Sequence, residues 1–257
     1  MNLKHHWNGD NGRTRLLSIG CASVTRLEAA QTVAFDARER EYGLMVLCGV
    51  ARVDGDGFVF ERVGARKTVF DDGAYAAYIP RDRRFSITAL TPFTAILCSA
   101  PADADHPAAL LCPDEALISL SGKPGWERKV RTVLDARTAA CSLMMGEVYL
   151  AGGQWTSYPP HKHDVDQMPS EASADEIYYF QFDKPQGFGI QRVYTPDGAL
   201  DETYTMRNGD LVEIPGGYHP CCCAPGYNAY VFWAMAGSER GFYMRQDPQH
   251  AWLSARA

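Results

Sequence analysis

The chain has 257 residues, 46% of them hydrophobic and 22% charged, with a formal net charge of −6. That is enough chain to bury a sizeable core as one large domain or two small ones, and it excludes global disorder. A mildly acidic chain with no basic cluster is a poor binder of nucleic acid or anionic membrane, so neither partner is expected.

The first fifteen residues, MNLKHHWNGDNGRTR, contain no apolar stretch of the secretory kind, and no run of about 18 apolar residues follows. A cytoplasmic location is therefore expected. Gly (23) and Pro (15) then punctuate the chain often enough to leave only short β-rich runs between turns. In the first half these runs are 42–53 (YGLMVLCGVARV), 57–62, 75–79, 85–90 and 94–99. Residues 101–135 differ in texture and read as a linker, with a polar segment of helical character at 126–134 (WERKVRTVL). Strand-like runs resume at 141–150, 176–182, 189–194, 203–206, 210–214, 229–235 and 241–245. Short strands at this spacing predict an all-β sandwich or barrel.

The halves share a rhythm. Asp72-Gly73 leads through a strand to Ile79-Pro80, and Asn208-Gly209-Asp210 leads through another to Ile214-Pro215. The repeat suggests two similar barrels in tandem, 1–120 and 121–257, the second including the linker helix.

The eight cysteines show no CxxC spacing, and Cys221, Cys222 and Cys223 are adjacent. This argues against a zinc–thiolate site or a disulfide framework, and for free thiols in a reducing compartment. A reactive thiol within the triplet is the minority reading.

Histidine placement says more. None of the seven falls between residues 7 and 105, so metal chemistry is expected in the C-terminal half and not in the N-terminal barrel. In SYPPHKHD (157–164), His161 and His163 are two apart and face the same way on an extended chain. Neutral imidazoles suit first-row divalent ions. In EIYYFQF (176–182), Glu176 and Tyr178 share a face. In GDLVEIPGGYHP (209–220), a Pro-Gly-Gly corner delivers His219.

His-x-His, a later Glu and a distant His after a Pro-Gly corner resembles the metal-binding pattern of the cupin superfamily. The resemblance implies His161, His163, Glu176 and His219 as ligands of one divalent ion (zinc, manganese or iron), with coordination positions left for substrate. Two departures stand out. Twelve residues, 164–175, separate His163 from Glu176, which makes Asp175 a rival carboxylate, and the corner reaches its His one residue early. The runs SYPPHKHD, EIYYFQF, GFGIQRVYTPDG, GYHP, APGYNAYVFWAMAG and DPQHAW further resemble the 5-deoxy-glucuronate isomerase family of inositol catabolism. That family is a bicupin of two tandem jelly-roll β-barrels, related to the hexuronate isomerases. The likeness is dense over about residues 146–252 and looser before residue 130.

The family implies an aldose–ketose isomerisation of a deoxy uronic acid, from 5-deoxy-glucuronate to 5-dehydro-2-deoxy-gluconate. Such a reaction moves a proton between neighbouring carbons through an enediolate, which a metal stabilises as a Lewis acid while a base shuttles the proton. Tyr178 is a candidate acid/base or hydrogen-bond donor, and Tyr218, beside His219, a second on proximity alone. Arg192 is the preferred clamp for the substrate carboxylate, with Arg245 a further option. Lys162 lies between two ligands and is expected to point away. Two alternatives stay open: a cupin dioxygenase holding iron in the same ligand set, and a non-catalytic sugar-binding cupin. The N-terminal barrel is expected to supply packing, a lid or an oligomer surface, which leaves a homo-oligomer open.

Overall fold

The computed structural model describes residues 2–6, 13–14, 21–71 and 73–255. Asp72 of the expected Asp72-Gly73 turn lies outside them, as do much of the N-terminal stretch read for a leader and the side chain of Cys21. The described residues are nearly all β, in a cupin-type β fold. They divide into two compact units: residues 1–6, 118–131 and 146–257, and residues 7–117 and 132–145. Among the described residues, no helix is long and apolar enough to cross a membrane.

The unit built mainly from the N-terminal half has a six-stranded and a four-stranded sheet. In the Arg84–Ala89 strand, Phe85, Ile87 and Ala89 are buried while Arg84 is exposed and Ser86 and Thr88 are partly so, as expected of a strand with one face on the core. These residues pack against Leu27, Phe35, Leu44, Val46, Ile79, Phe93 and Leu97. Phe35 stacks on Phe85 with ring centroids 5.0 Å apart, and Tyr42 meets Phe85 edge-on at 5.4 Å. The expected single run 42–53 is two strands, Arg40–Cys48 and Ala51–Gly55. Gly49 makes the break at φ +84°, where a β-carbon would sit 2.0 Å from the carbonyl oxygen of Pro92.

Glu41 is fully buried in this unit. Its carboxylate accepts the backbone N–H of Cys141, Ser142 and Leu143 at 2.7, 2.7 and 2.8 Å, and the Tyr78 hydroxyl at 2.9 Å. One acidic side chain thereby fixes the start of the Leu143–Leu150 strand.

The other unit holds most of a seven-stranded sheet. Its strands run in the order Lys4–His6, Asp210–Ile214, Ala174–Phe182, Ala229–Gly237, Leu143–Leu150, Arg128–Leu134, Leu117–Ser121. Trp155–Thr156, Cys221–Cys223, Gly189–Tyr194 and Asp201–Met206 form a four-stranded sheet, and His161–Lys162 pairs with Arg245–Gln246. The helical character expected of 126–134 is absent. Arg128–Leu134 is a strand, because Val130, Thr132 and Val133 are β-branched and the segment has strand neighbours on both sides. The run expected at 241–245 is a strand only at Arg245–Gln246. The chain bends back at Gly241, where a β-carbon would lie 2.6 Å from the ring of Tyr243.

Glu41→Ala is expected to destabilise the protein by about 3 kcal/mol or more, since three N–H groups and a buried hydroxyl lose their acceptor. Urea unfolding would measure this. A loss under about 0.5 kcal/mol would show that water or backbone movement replaces the carboxylate.

Candidate metal centre

Three elements bring a carboxylate and two imidazoles to one point. Glu176 lies on the Ala174–Phe182 strand, third in the seven-stranded sheet, its neighbours being Met235 and Ile214. It is buried, whereas Asp175 is partly exposed on the opposite face of the strand. The twelve residues between His163 and Glu176 form a loop whose ends meet. The Ala174 N–H donates to the His163 carbonyl at 3.0 Å, and His163 Nδ1–H donates to the Ala174 carbonyl at 2.9 Å. Asp166 braces the loop by accepting from the Ser173 N–H and the Ser238 hydroxyl, each at 2.8 Å. A long insert therefore leaves His163 and Glu176 side by side.

His219 arrives by the Pro-Gly-Gly corner. Gly217 has φ +82°, and a β-carbon there would lie 2.6 Å from the Tyr194 carbonyl oxygen, so only glycine fits the turn. His219 Nδ1–H donates to the Gly217 carbonyl at 2.9 Å. With both Nδ1 atoms engaged, both Nε2 atoms point at Glu176 Oε2, 3.0 Å away for His163 and 3.2 Å for His219. One ligand atom from each of the three residues lies within 4.8 Å of the other two. His161 sits beside them, its ring centroid 5.0 Å from that of His219 and 6.5 Å from that of His163.

The electrostatics follow from this crowding. Burial alone would raise the Glu176 pKa, but the facing imidazoles of His163 and His219 hold it down at about 2. Burial opposes the charge on His163, yet Glu176 outweighs it and raises that pKa above 6.5. His161 is pushed well below 6.5 by burial, then by His219 and His163, with Arg128 adding to the fall. His219 Nε2 is buried with no hydrogen-bond partner. Inward-facing lone pairs in a dry interior, one of them orphaned, fit a divalent cation. The buried His163, Glu176 and His219 could hold one.

A polar network supports the corner. Lys162 points away from the histidine cluster and its ammonium pairs with Asp164 and, at 2.7 Å, with the fully buried Glu171. Asp164 Oδ2 in turn accepts the Gly217 N–H at 2.7 Å. A connected path thus runs from Lys162 through Asp164 and Gly217 to the His219 ring. Histidine and glycine spacing does not reveal it. Its only trace in the sequence is the acidic content of the 164–175 insert.

The remaining candidates divide. Tyr178 is buried with its ring centroid 6.0 Å from that of His219, and its hydroxyl lies 2.6 Å from Ser157 Oγ. Burial, then Glu176, raises its pKa well above 10. Tyr218 turns the other way, as adjacent residues on an extended chain must. Its ring packs on Tyr194 at 5.2 Å, and the charges it feels are those of Asp247, Lys162 and Arg245.

Arg192 does not fit the role of clamp. On the Gly189–Tyr194 strand, Gly189, Gln191 and Val193 are buried and Arg192 is on the outer face. There it forms a two-point pair with Asp201, 2.8 and 2.9 Å, and lies over the Tyr194 ring. Arg245 is exposed and donates to Gln167 at 3.3 Å. Cys221 and Cys223 are buried and Cys222 partly so, all free, and burial raises their pKa values, that of Cys223 to about 12. Thiols so suppressed are poor nucleophiles.

The chain matches the KduI/IolB family model over residues 11–253. A 5-deoxy-glucuronate isomerase of Geobacillus thermodenitrificans is 37% identical over 231 residues, 90% of this chain and 84% of the relative. One from Bacillus subtilis strain 168 is 36% identical over 91% of this chain and 87% of the relative. Among solved structures, an IolB-like protein from Salmonella typhimurium LT2 superposes with a TM-score of 0.93 at 34% identity, covering 99% of this chain and 100% of the other. Lactobacillus farciminis oxalate decarboxylase superposes with a TM-score of 0.66 at 13% identity, over 100% of this chain and 91% of that one, which is a likeness of fold alone.

Titrating a divalent ion into metal-free protein at pH 6 is expected to release protons, because Glu176 raises the His163 pKa above 6.5 and the ion displaces that proton. Calorimetry in buffers of differing ionisation enthalpy would detect it, and buffer-independent heats would contradict it. Asp164→Ala is expected to weaken metal affinity about 10- to 100-fold by freeing the Gly217 corner. Unchanged affinity would show the corner holds its shape without Asp164.

Proposed function

The chain belongs to the KduI/IolB family, and on that premise we propose that it is an aldose–ketose isomerase converting 5-deoxy-glucuronate to 5-dehydro-2-deoxy-gluconate in inositol catabolism. The observation that carries the reading is the convergence of His163, Glu176 and His219 in a chain whose relatives bear that name over more than four-fifths of both lengths. The proposed architecture is a bicupin with one metal site, in the unit of the C-terminal half, and no counterpart in the other barrel.

A zinc, manganese or iron ion held by His163, Glu176 and His219, with His161 as the fourth ligand, would polarise the substrate carbonyl and its neighbouring hydroxyl. The protein's own groups then set the rest. The two carbonyl-anchored imidazoles present Nε2 without rearrangement, so ligand geometry exists before substrate arrives. Tyr178, held protonated by burial and oriented by Ser157, is suited to donate a hydrogen bond or proton to a developing oxyanion and unsuited to act as base. Phe180, Met235 and Ile214, all buried, give the cluster apolar neighbours on the Glu176 face of the sheet.

The test is direct. Purified protein is expected to carry about one divalent ion per chain and to interconvert the two sugar acids without oxygen uptake or nicotinamide. His163→Ala, His219→Ala and Glu176→Gln should each lower metal content and cut kcat/KM by at least about 100-fold while the fold survives, and Asp175→Asn should do less than Glu176→Gln. In deuterated water, an enediolate route exchanging with solvent leaves label at the reacting carbon. Full activity after chelation would remove the metal from the reading, and oxygen-dependent cleavage of the substrate would replace the isomerase by a dioxygenase.

A further inference from the structure

Arg192 is paired with Asp201 and Arg245 is exposed, and a further guanidinium, that of Arg128, acts on His161. Arg128 begins the Arg128–Leu134 strand and is half-buried. Its Nη1 donates to the carbonyls of Tyr158 and Trp126 at 3.2 and 3.3 Å. Tyr158 stands between Ser157, whose Oγ meets the Tyr178 hydroxyl, and the Pro159-Pro160 step into His161. The arginine is therefore fastened to the segment that carries Ser157, the hydroxyl partner of Tyr178, and the metal-ligand candidate His161. Its charge is felt at Tyr178, Cys221 and His161.

Among the described residues, no carboxylate is paired with Arg128. Arg192, by contrast, is matched by Asp201, Arg52 by Asp54 and Glu61, and Arg137 by Asp135. A guanidinium partly withdrawn from water with only two carbonyls for company is an unfavourable arrangement, which an arriving carboxylate converts into a favourable one. A cavity of about 280 Å³ opens beside it, lined by Arg128, Lys123, Trp126, Tyr158, Pro159 and Leu253. Trp126 and Tyr158 meet edge-on at 5.5 Å and give it an aromatic wall, the kind of surface on which the C–H face of a sugar packs.

We propose that Arg128 binds the carboxylate of the sugar-acid substrate and so directs its aldehyde end to the His163–Glu176–His219 cluster. The assignment rests on the isomerase reading above for the identity of the substrate, and on the uncompensated cation and adjoining cavity for its place. The guanidinium forms two parallel bonds with a carboxylate where an ammonium would form one, so Lys is a partial substitute.

The experiment compares wild type, Arg128→Gln and Arg128→Lys on 5-deoxy-glucuronate and on its uncharged primary amide, with metal content measured in each. Arg128→Gln is expected to raise KM for the acid about 10- to 100-fold with metal content unchanged, while its effect on the amide stays within about threefold. Arg128→Lys should fall between the two and keep the preference for the acid. Equal losses on acid and amide, or loss of metal in either variant, would overturn the assignment, as would an unchanged KM for the acid. Should Arg128→Gln fail to fold, Arg128→Lys carries the same comparison. Calorimetric binding of glucuronate separates the two readings. Binding that depends on Arg128 in a protein without isomerase activity would sink the activity and keep the anion site. Isomerase activity with glucuronate binding insensitive to Arg128 would do the reverse.

Discussion

A carboxylate deep in an apolar sheet is tolerated only if something positive meets it, and in this protein two imidazole nitrogens do, at 3.0 and 3.2 Å from one oxygen of Glu176. The arrangement constrains everything around it. Glu176 sits on an interior strand of the seven-stranded sheet, with a hydrogen-bonded strand along each edge. The histidines must offer Nε2 and not Nδ1, which backbone carbonyls of Ala174 and Gly217 enforce. His219 must be brought back from a remote part of the chain by a turn that admits no β-carbon.

Behind the cluster lies a layer of charge that never faces it. Lys162 occupies the position between His161 and His163, and strand alternation sends it outward from the cluster into Asp164 and Glu171. Burial disfavours its ammonium, but those two carboxylates outweigh burial and raise its pKa. The 164–175 insert, which looks like an interruption of the ligand pattern, is the source of the acids that hold the pattern together. Glu41 plays a comparable part in the other unit, gathering three backbone N–H groups onto one side chain far in sequence from the histidine cluster.

Much was legible in residue order alone. The all-β character followed from frequent turn residues between β-branched and aromatic runs, and Gly189–Tyr194 and Asp210–Ile214 have the boundaries that alternation and turns suggest. That only one of Glu176 and Asp175 can face inward is likewise strand parity, a local rule that survives any tertiary arrangement, whereas which of them is buried is a fact of the fold. Even the outward direction of Lys162 is contained in that rule.

What sequence could not decide was which side chains would find partners. Arg192 is well placed along the chain and poorly placed in space, because its strand turns that parity toward Asp201. Arg128 sits in a segment that reads as helix until neighbouring strands claim it, since β structure there is stabilised by pairing across the sheet and not by local preference. Tyr178 and Tyr218 are each next to or near a ligand in sequence, yet one faces the cluster and the other its opposite side. Periodicity and residue chemistry are local and were written in the chain. Charge compensation and burial depend on what comes near from far along it, and only the tertiary structure decides them.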